Sequence, residues 1–297
     1  MSSTTATPST TAPKLQTLNY VNVLAYLSNF LVVFGADKFG LPDNATLSDK
    51  YQTLITPAPY AFAIWGIIFT AELVWTIFQV LPSYRSNELV VKSVGYNFAL
   101  ASFAQCAWTI LFGLEKIGLS LIAMVSILVP LLATLKNTSQ KTTKTTKDYW
   151  LLKFPFEIHA SWIMAATLLN VNVLSVAHET SSTIQTTVGW ASLVILFSVG
   201  IYATIQKQKY GRVWVVPCVL LWASFAIASE LSSPRDKIAE TFSEGIISNT
   251  KIASMTVGYL LVLVVIIELV RSRFFGKTAT NDDDGENETN GEYSSLN

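Results

Sequence analysis

The sequence predicts an all-α polytopic membrane protein of about eight transmembrane helices. Of its 297 residues, 51% are hydrophobic and only 13% are charged, too apolar and too poor in surface charge for an ordinary soluble domain. A bilayer core of about 30 Å needs about 20 mostly apolar residues in helical form. Eight runs of roughly that kind stand between polar breaks, at 20–35, 60–81, 94–114, 119–135, 154–177, 187–206, 213–229 and 252–270.

The first run is the shortest and reads as an uncleaved span, because only Lys14 precedes it and no small-x-small site follows its apolar core. The loops then test the count. With both termini cytoplasmic, that side collects Lys14, Arg85, Lys92, the lysines of 136–153, Lys207, Lys209, Arg212, Arg271, Arg273 and Lys277. The far side keeps Lys38, Lys50, Lys116, Arg235, Lys237 and Lys251. This is the bias of the positive-inside rule, which a missed or extra span would scramble. The sequon Asn44-Ala45-Thr46 then faces the non-cytoplasmic side. Residues 1–18 read as a disordered Ser/Thr-rich tail and 275–297 as a disordered acidic one, each with too little apolar surface to fold alone.

Zero formal net charge lacks the basic excess that nucleic-acid binding needs, so the expected partner is the lipid bilayer. Cys106 and Cys218 sit in apolar runs and imply neither a disulfide framework nor a metal site. No mid-span lysine, phosphate loop, metal-ligand cluster or nucleophile–base pair emerges, so the chain is read as no enzyme, with no catalytic residue, metal or cofactor.

Three spans carry polar and aromatic stripes. Trp65, Ile68, Glu72, Trp75 and Gln79 recur at steps of three or four and share a helix face, as do Asn97, Ala101, Gln105 and Trp108 on the third span. His159, Trp162, Ala166 and Asn170 do the same on the fifth. Such groups face a bundle interior or a water-filled cavity rather than lipid. One reading is interhelical glue, at about 1 kcal/mol or less per contact. Glu72 asks for more, since a carboxylate at mid-helix depth costs several kcal/mol on insertion and is by default functional, paired or protonated. Glu157 and Glu268 lie nearer span ends and read as structural. His159 reads as a core histidine bonded to a neighbour, with axial haem ligation the alternative.

Three segments carry a family resemblance. "YQTLITPAPYAFAIWGIIF" (51–69), "YNFALASFAQCAWTILFG" (96–113) and "FPFEIHASWIMAATLLNVNVL" (154–174) resemble the first loop with the second helix, the third helix and the fifth helix of the TspO/MBR family, the tryptophan-rich sensory or translocator proteins. The last three spans resemble a longer branch with a Trp-Ala pair in the seventh span, here Trp222 and Ala223. The resemblance implies a five-helix transmembrane core at 19–178 followed by three additional helices at 179–274. It also implies a pocket in that core, opening toward the first loop, for tetrapyrroles, sterols or similar flat apolar ligands. Two positions depart from the family pattern: Pro57-Ala58-Pro59-Tyr60 stands where paired prolines and Trp are typical, and His159 where Tyr is common. The cholesterol-recognition pattern expected after the fifth helix is absent, although Val199, Tyr202 and Lys207 fit its loose form.

The expected ligand-binding residues are Trp65, Glu72, Trp75, Asn97, Gln105, Trp108, His159, Trp162 and Asn170. Their flat indole faces suit a conjugated ring, and their amides and imidazole suit its polar rim. The expected function is a membrane sensor or carrier for a flat hydrophobic molecule, a porphyrin or a sterol-like or isoprenoid compound. The alternative is a proton-coupled secondary transporter using Glu72. The sequence leaves a homodimer and the organelle open.

Overall fold

The computed structural model describes residues 13–42, 44–141, 143, 145–207 and 214–274. The expected tails therefore lie outside the described residues, apart from 13–18. Among the described residues eight long helices carry the fold: α1 (Thr17–Gly35), α2 (Ile64–Phe78), α3 (Asn97–Gly113), α4 (Ile117–Ser139), α5 (Phe154–Ala177), α6 (Ser182–Lys207), α7 (Val215–Glu230) and α8 (Glu244–Phe274). Six of these segments are long and apolar enough to cross a membrane, and α3 and α7 are shorter apolar helices. Each apolar run of the sequence holds one of the eight. The ends differ where backbone chemistry intervenes. Pro59 starts a 3-10 turn over Pro59–Ala63 ahead of α2, and a π-helical segment, Leu89–Val94, ends at Gly95 with φ +54 before α3 begins.

Exposure is inverted relative to a soluble protein. Leu31, Leu119, Ile122, Val129, Val194 and Ile205 point outward, while Asn19, Asn22, Asn29, Glu72, Gln79, Gln105 and His159 are buried. Lipid accepts the first group, and the second finds partners only inside the bundle. The chain is thus an integral multi-pass membrane protein.

Successive helices run up and down, so the connections fall on two faces. On one face, which we call the loop face, Lys50 pairs with Glu115, Arg235 pairs with Asp49, and Lys237 Nζ donates to Lys50 O at 2.7 Å. On the opposite face Lys141 pairs with Glu88, and Asn137 Nδ2 donates to Ser93 O at 3.2 Å. At the centre of the bundle α5 packs on α2, α4, α6 and α7, while α1 closes the far side of α2 and α3. The outermost helix, α8, seats closely through glycine: a Cβ on Gly258 would come 2.7 Å from the Phe225 ring on α7, and one on Gly200 of α6 would collide with Leu261 of α8.

Candidate functional site

The connection between α1 and α2 makes the roof of the site. Leu54, Ile55, Thr56 and Ala58 are buried although they belong to no regular helix. Their backbone groups therefore need partners, and the segment supplies them locally and from α7. Thr53 N donates to Thr56 Oγ1 at 2.9 Å, Ala58 N donates to Ala226 O at 3.0 Å, and Trp222 Nε1 donates to Ala61 O at 3.3 Å. Pro59 holds Ala58, the residue before it in this strap, extended at φ −55, ψ 147, and Pro57 does the same service for Thr56.

Beneath this roof lies a cavity of about 380 Å³, within the range of small-molecule sites, about 300 to 1,000 Å³. Phe62 and Trp65 border it from the α2 side, Trp108 and Phe112 from α3, and Met124 from α4. Trp162, Ala165, Ala166, Leu169, Asn170 and Val173 form the α5 wall. Ser192, Leu193 and Leu196 of α6 and Ala223 and Ile227 of α7 complete it, with Asp49 and Arg235 at the rim. The lining is apolar and aromatic with few polar points. Trp108 Nε1 donates to Asn170 Oδ1 at 3.1 Å, whereas Trp162 Nε1 is buried with no hydrogen-bond partner among the described residues.

Four of the nine expected site residues therefore meet at the cavity: Trp65, Trp108, Trp162 and Asn170. The other five lie elsewhere. Glu72 on α2 and His159 on α5 form a fully buried pair with Nδ1 2.6 Å from Oε1, leaving Glu72 Oε2 and His159 Nε2 without partners among the described residues. Trp65 joins the two levels, since its ring stands 5.9 Å from that of His159 and 6.4 Å from that of Trp162. Gln105 Oε1 accepts from Asn29 Nδ2 of α1 at 3.3 Å. Trp75 is packed edge-on against Phe98 and Phe156 at 4.8 and 5.0 Å. Asn97 stands half-buried at the first residue of α3, at the opposite face.

The cavity also uses residues that no stripe announced. Those of α6 and α7 lie on two of the last three helices, where Ala223 of the Trp-Ala pair lines the cavity and Trp222 Nε1 bonds the roof. Two clusters of charge fasten the rim. Arg235 pairs with Asp49 and, at 3.0 Å, with Glu230, which also accepts from Gln52 at 3.4 Å. Lys50 and Tyr51 both bond Glu115 Oε2, Tyr51 at 2.6 Å. The Lys50 ammonium and then the Tyr51 hydroxyl hold the Glu115 carboxyl below the usual carboxylate range, and the Glu115 contact raises the Tyr51 phenol.

The family model described as TSPO-like protein matches residues 17–269. No curated protein and no solved structure matches the chain.

Proposed function

The chain belongs to the family of TSPO-like proteins, and on that premise we propose that it binds a flat, largely apolar molecule, a tetrapyrrole or a sterol-like or isoprenoid compound, in the cavity under the first loop. The role is that of a membrane sensor or carrier. The observation that carries this reading is the lining itself: three indoles from three helices around one hollow whose wall is otherwise mostly apolar. Flat rings pack against indole faces with large apolar burial, and a few polar groups in the lining orient them.

The test is a titration of purified protein in detergent with a porphyrin, a sterol and a carotenoid-like compound side by side, read by quenching of indole fluorescence. Trp65→Phe and Trp162→Phe should weaken porphyrin binding by about 1 to 3 kcal/mol if ring burial holds the ligand. Trp190→Phe is the control, because Trp190 is outside the cavity and bonds Thr250 Oγ1 at 2.9 Å. No saturable quenching by any of the three rejects the reading, and equal affinities across the variants reject this cavity as the site.

A second reading, proton-coupled transport, is favoured by the buried Glu72–His159 pair, which lies one turn below Trp162 on α5 and keeps two polar atoms free. Uptake of the bound compound into vesicles, with and without a pH gradient, tests it. Gradient-dependent uptake that Glu72→Gln abolishes supports this reading, and uptake indifferent to the gradient rejects it.

A further inference from the structure

The cavity shares a wall with a second hollow. On the half of the bundle away from the first loop, α4 and α6 stand apart over α5 and α7 and leave a groove of about 750 Å³. Leu132 and Leu135 of α4 and Val199 and Tyr202 of α6 form its flanks, and Met164 and Leu220 form its floor. The groove faces the lipid: Leu132 is 41% and Tyr202 64% exposed. At mid-height it abuts the cavity, because Leu168 of α5 and Leu196 of α6 line both hollows. At its outer end the groove turns polar, with Lys136, Ser139 and Gln140 at the level where lipid headgroups lie.

The approach from the loop face is fastened by hydrogen bonds and ion pairs. It is roofed by the buried strap, bonded to α7 through Ala58 and clipped at the rim by Arg235 and Glu115. A flat apolar molecule also partitions into the bilayer, so its supply is on the side the groove faces. Leu168 and Leu196 are the residues the two hollows share there, and a side-chain rotation disturbs less than strap opening, which must break several hydrogen bonds together.

We propose that the groove is a lateral vestibule, through which a bilayer-dissolved apolar ligand reaches the cavity from the half of the membrane opposite the loop face, with Leu168 and Leu196 as the gate. This rests on the binding reading above, and it gives the additional helices α6 and α7 a part in delivery. The occupant in transit is the cavity ligand itself, its apolar body toward the gate and its polar end beside Lys136.

The test uses the full chain in phosphatidylcholine vesicles with a bilayer-dissolved porphyrin as probe, and follows association and dissociation by quenching of indole fluorescence. Val199→Trp fills the groove without touching the cavity and should slow both rates, by about tenfold if this is the main path. Leu168→Ala widens the gate and should speed both. Ala58→Cys with Ala226→Cys, in a background lacking Cys106 and Cys218, ties the roof to α7 and should leave both rates within about twofold of the reduced protein. Arrest of exchange by the roof disulfide, or unchanged rates in both Val199→Trp and Leu168→Ala, overturns the vestibule while leaving binding intact. Absence of saturable quenching in the wild type overturns the binding reading and the vestibule with it.

Discussion

Along α2 the same residue types serve two different environments. Near the loop face Trp65 borders a hollow together with Trp108 and Trp162, and the polar groups there are few. Ten residues on, about 15 Å along the helix axis, Trp75 has no exposure at all and is held between Phe98 and Phe156. Between the two levels Glu72 meets His159. Below Trp75 the bundle is locked by amides: Asn19 Nδ2 donates to Gln79 Oε1 at 2.8 Å, and Gln79 Nε2 returns to Asn19 O at 2.9 Å. The loop half is built around space and the opposite half of this face is built to exclude it. Side chains in the first should matter for binding more than for stability, and in the second the order reverses.

The largest effect should come from the closed half. Trp75→Ala removes an indole packed on all sides and should cost about 3 to 5 kcal/mol of stability. Unfolding by increasing denaturing detergent measures it. Trp65→Ala, at a half-buried ring beside existing space, should cost clearly less. Equal costs would erase the distinction between the halves.

Glu72→Ala comes next. It strands the His159 ring in the packed layer, and breaking a buried pair by removing one partner costs about 3 kcal/mol. Replacing both residues with apolar groups of similar size, Glu72→Met with His159→Leu, should recover most of that loss, because neither polar group is then left alone. A double variant no more stable than Glu72→Ala would show that the pair does something other than satisfy itself.

This contrast also explains what the sequence made legible. Steps of three and four residues report the direction in which a side chain leaves a helix, and the stripes were inward-facing as that reading requires. They do not report depth. Trp65, Glu72 and Trp75 share a direction yet occupy three levels, of which only the first reaches the cavity. Glu72 and His159 stood out separately, one for its charge and one for its neighbours, but pairing between helices 87 positions apart depends on the packing of α2 on α5. The apolar runs located all eight helices, since hydrophobic length is a local property. The contribution of α6 and α7 to the cavity was hidden because Leu193, Leu196 and Ile227 are indistinguishable by type from the lipid-facing leucines and isoleucines beside them.

Within the loop half a finer comparison follows. Trp108 and Trp162 both border the cavity, but only Trp108 has spent its N–H, on Asn170. Trp108→Phe therefore leaves Asn170 Oδ1 short of a donor and should cost about 1 kcal/mol of stability. Trp162→Phe removes a donor that bonds nothing among the described residues and should leave stability unchanged or slightly raised while still weakening the ligand. Matching losses of stability in both variants would mean that the Trp162 N–H is already satisfied in the resting protein.

The smallest effect concerns the rim, where the roof is fastened by charge rather than by packing. Lys50 and Tyr51 lower the Glu115 carboxyl below the ordinary range in the folded protein. A carboxyl shifted downward favours the folded arrangement when it is ionised, so its contribution is complete above the unfolded value and disappears as pH falls through the lower, folded one. Acid should therefore loosen the roof, not tighten it, and the change should fall below the normal glutamate range. Because the clip is exposed, the effect should be modest and should shrink with added salt. Hydrogen exchange of the amides in 51–58, corrected for intrinsic rates, should rise as pH is lowered in the wild type and stay flat in Glu115→Gln, which begins at the looser level. Exchange that rises equally in the variant would move the acid sensitivity to Asp49 and Glu230 around Arg235, the other charged clip on the same rim.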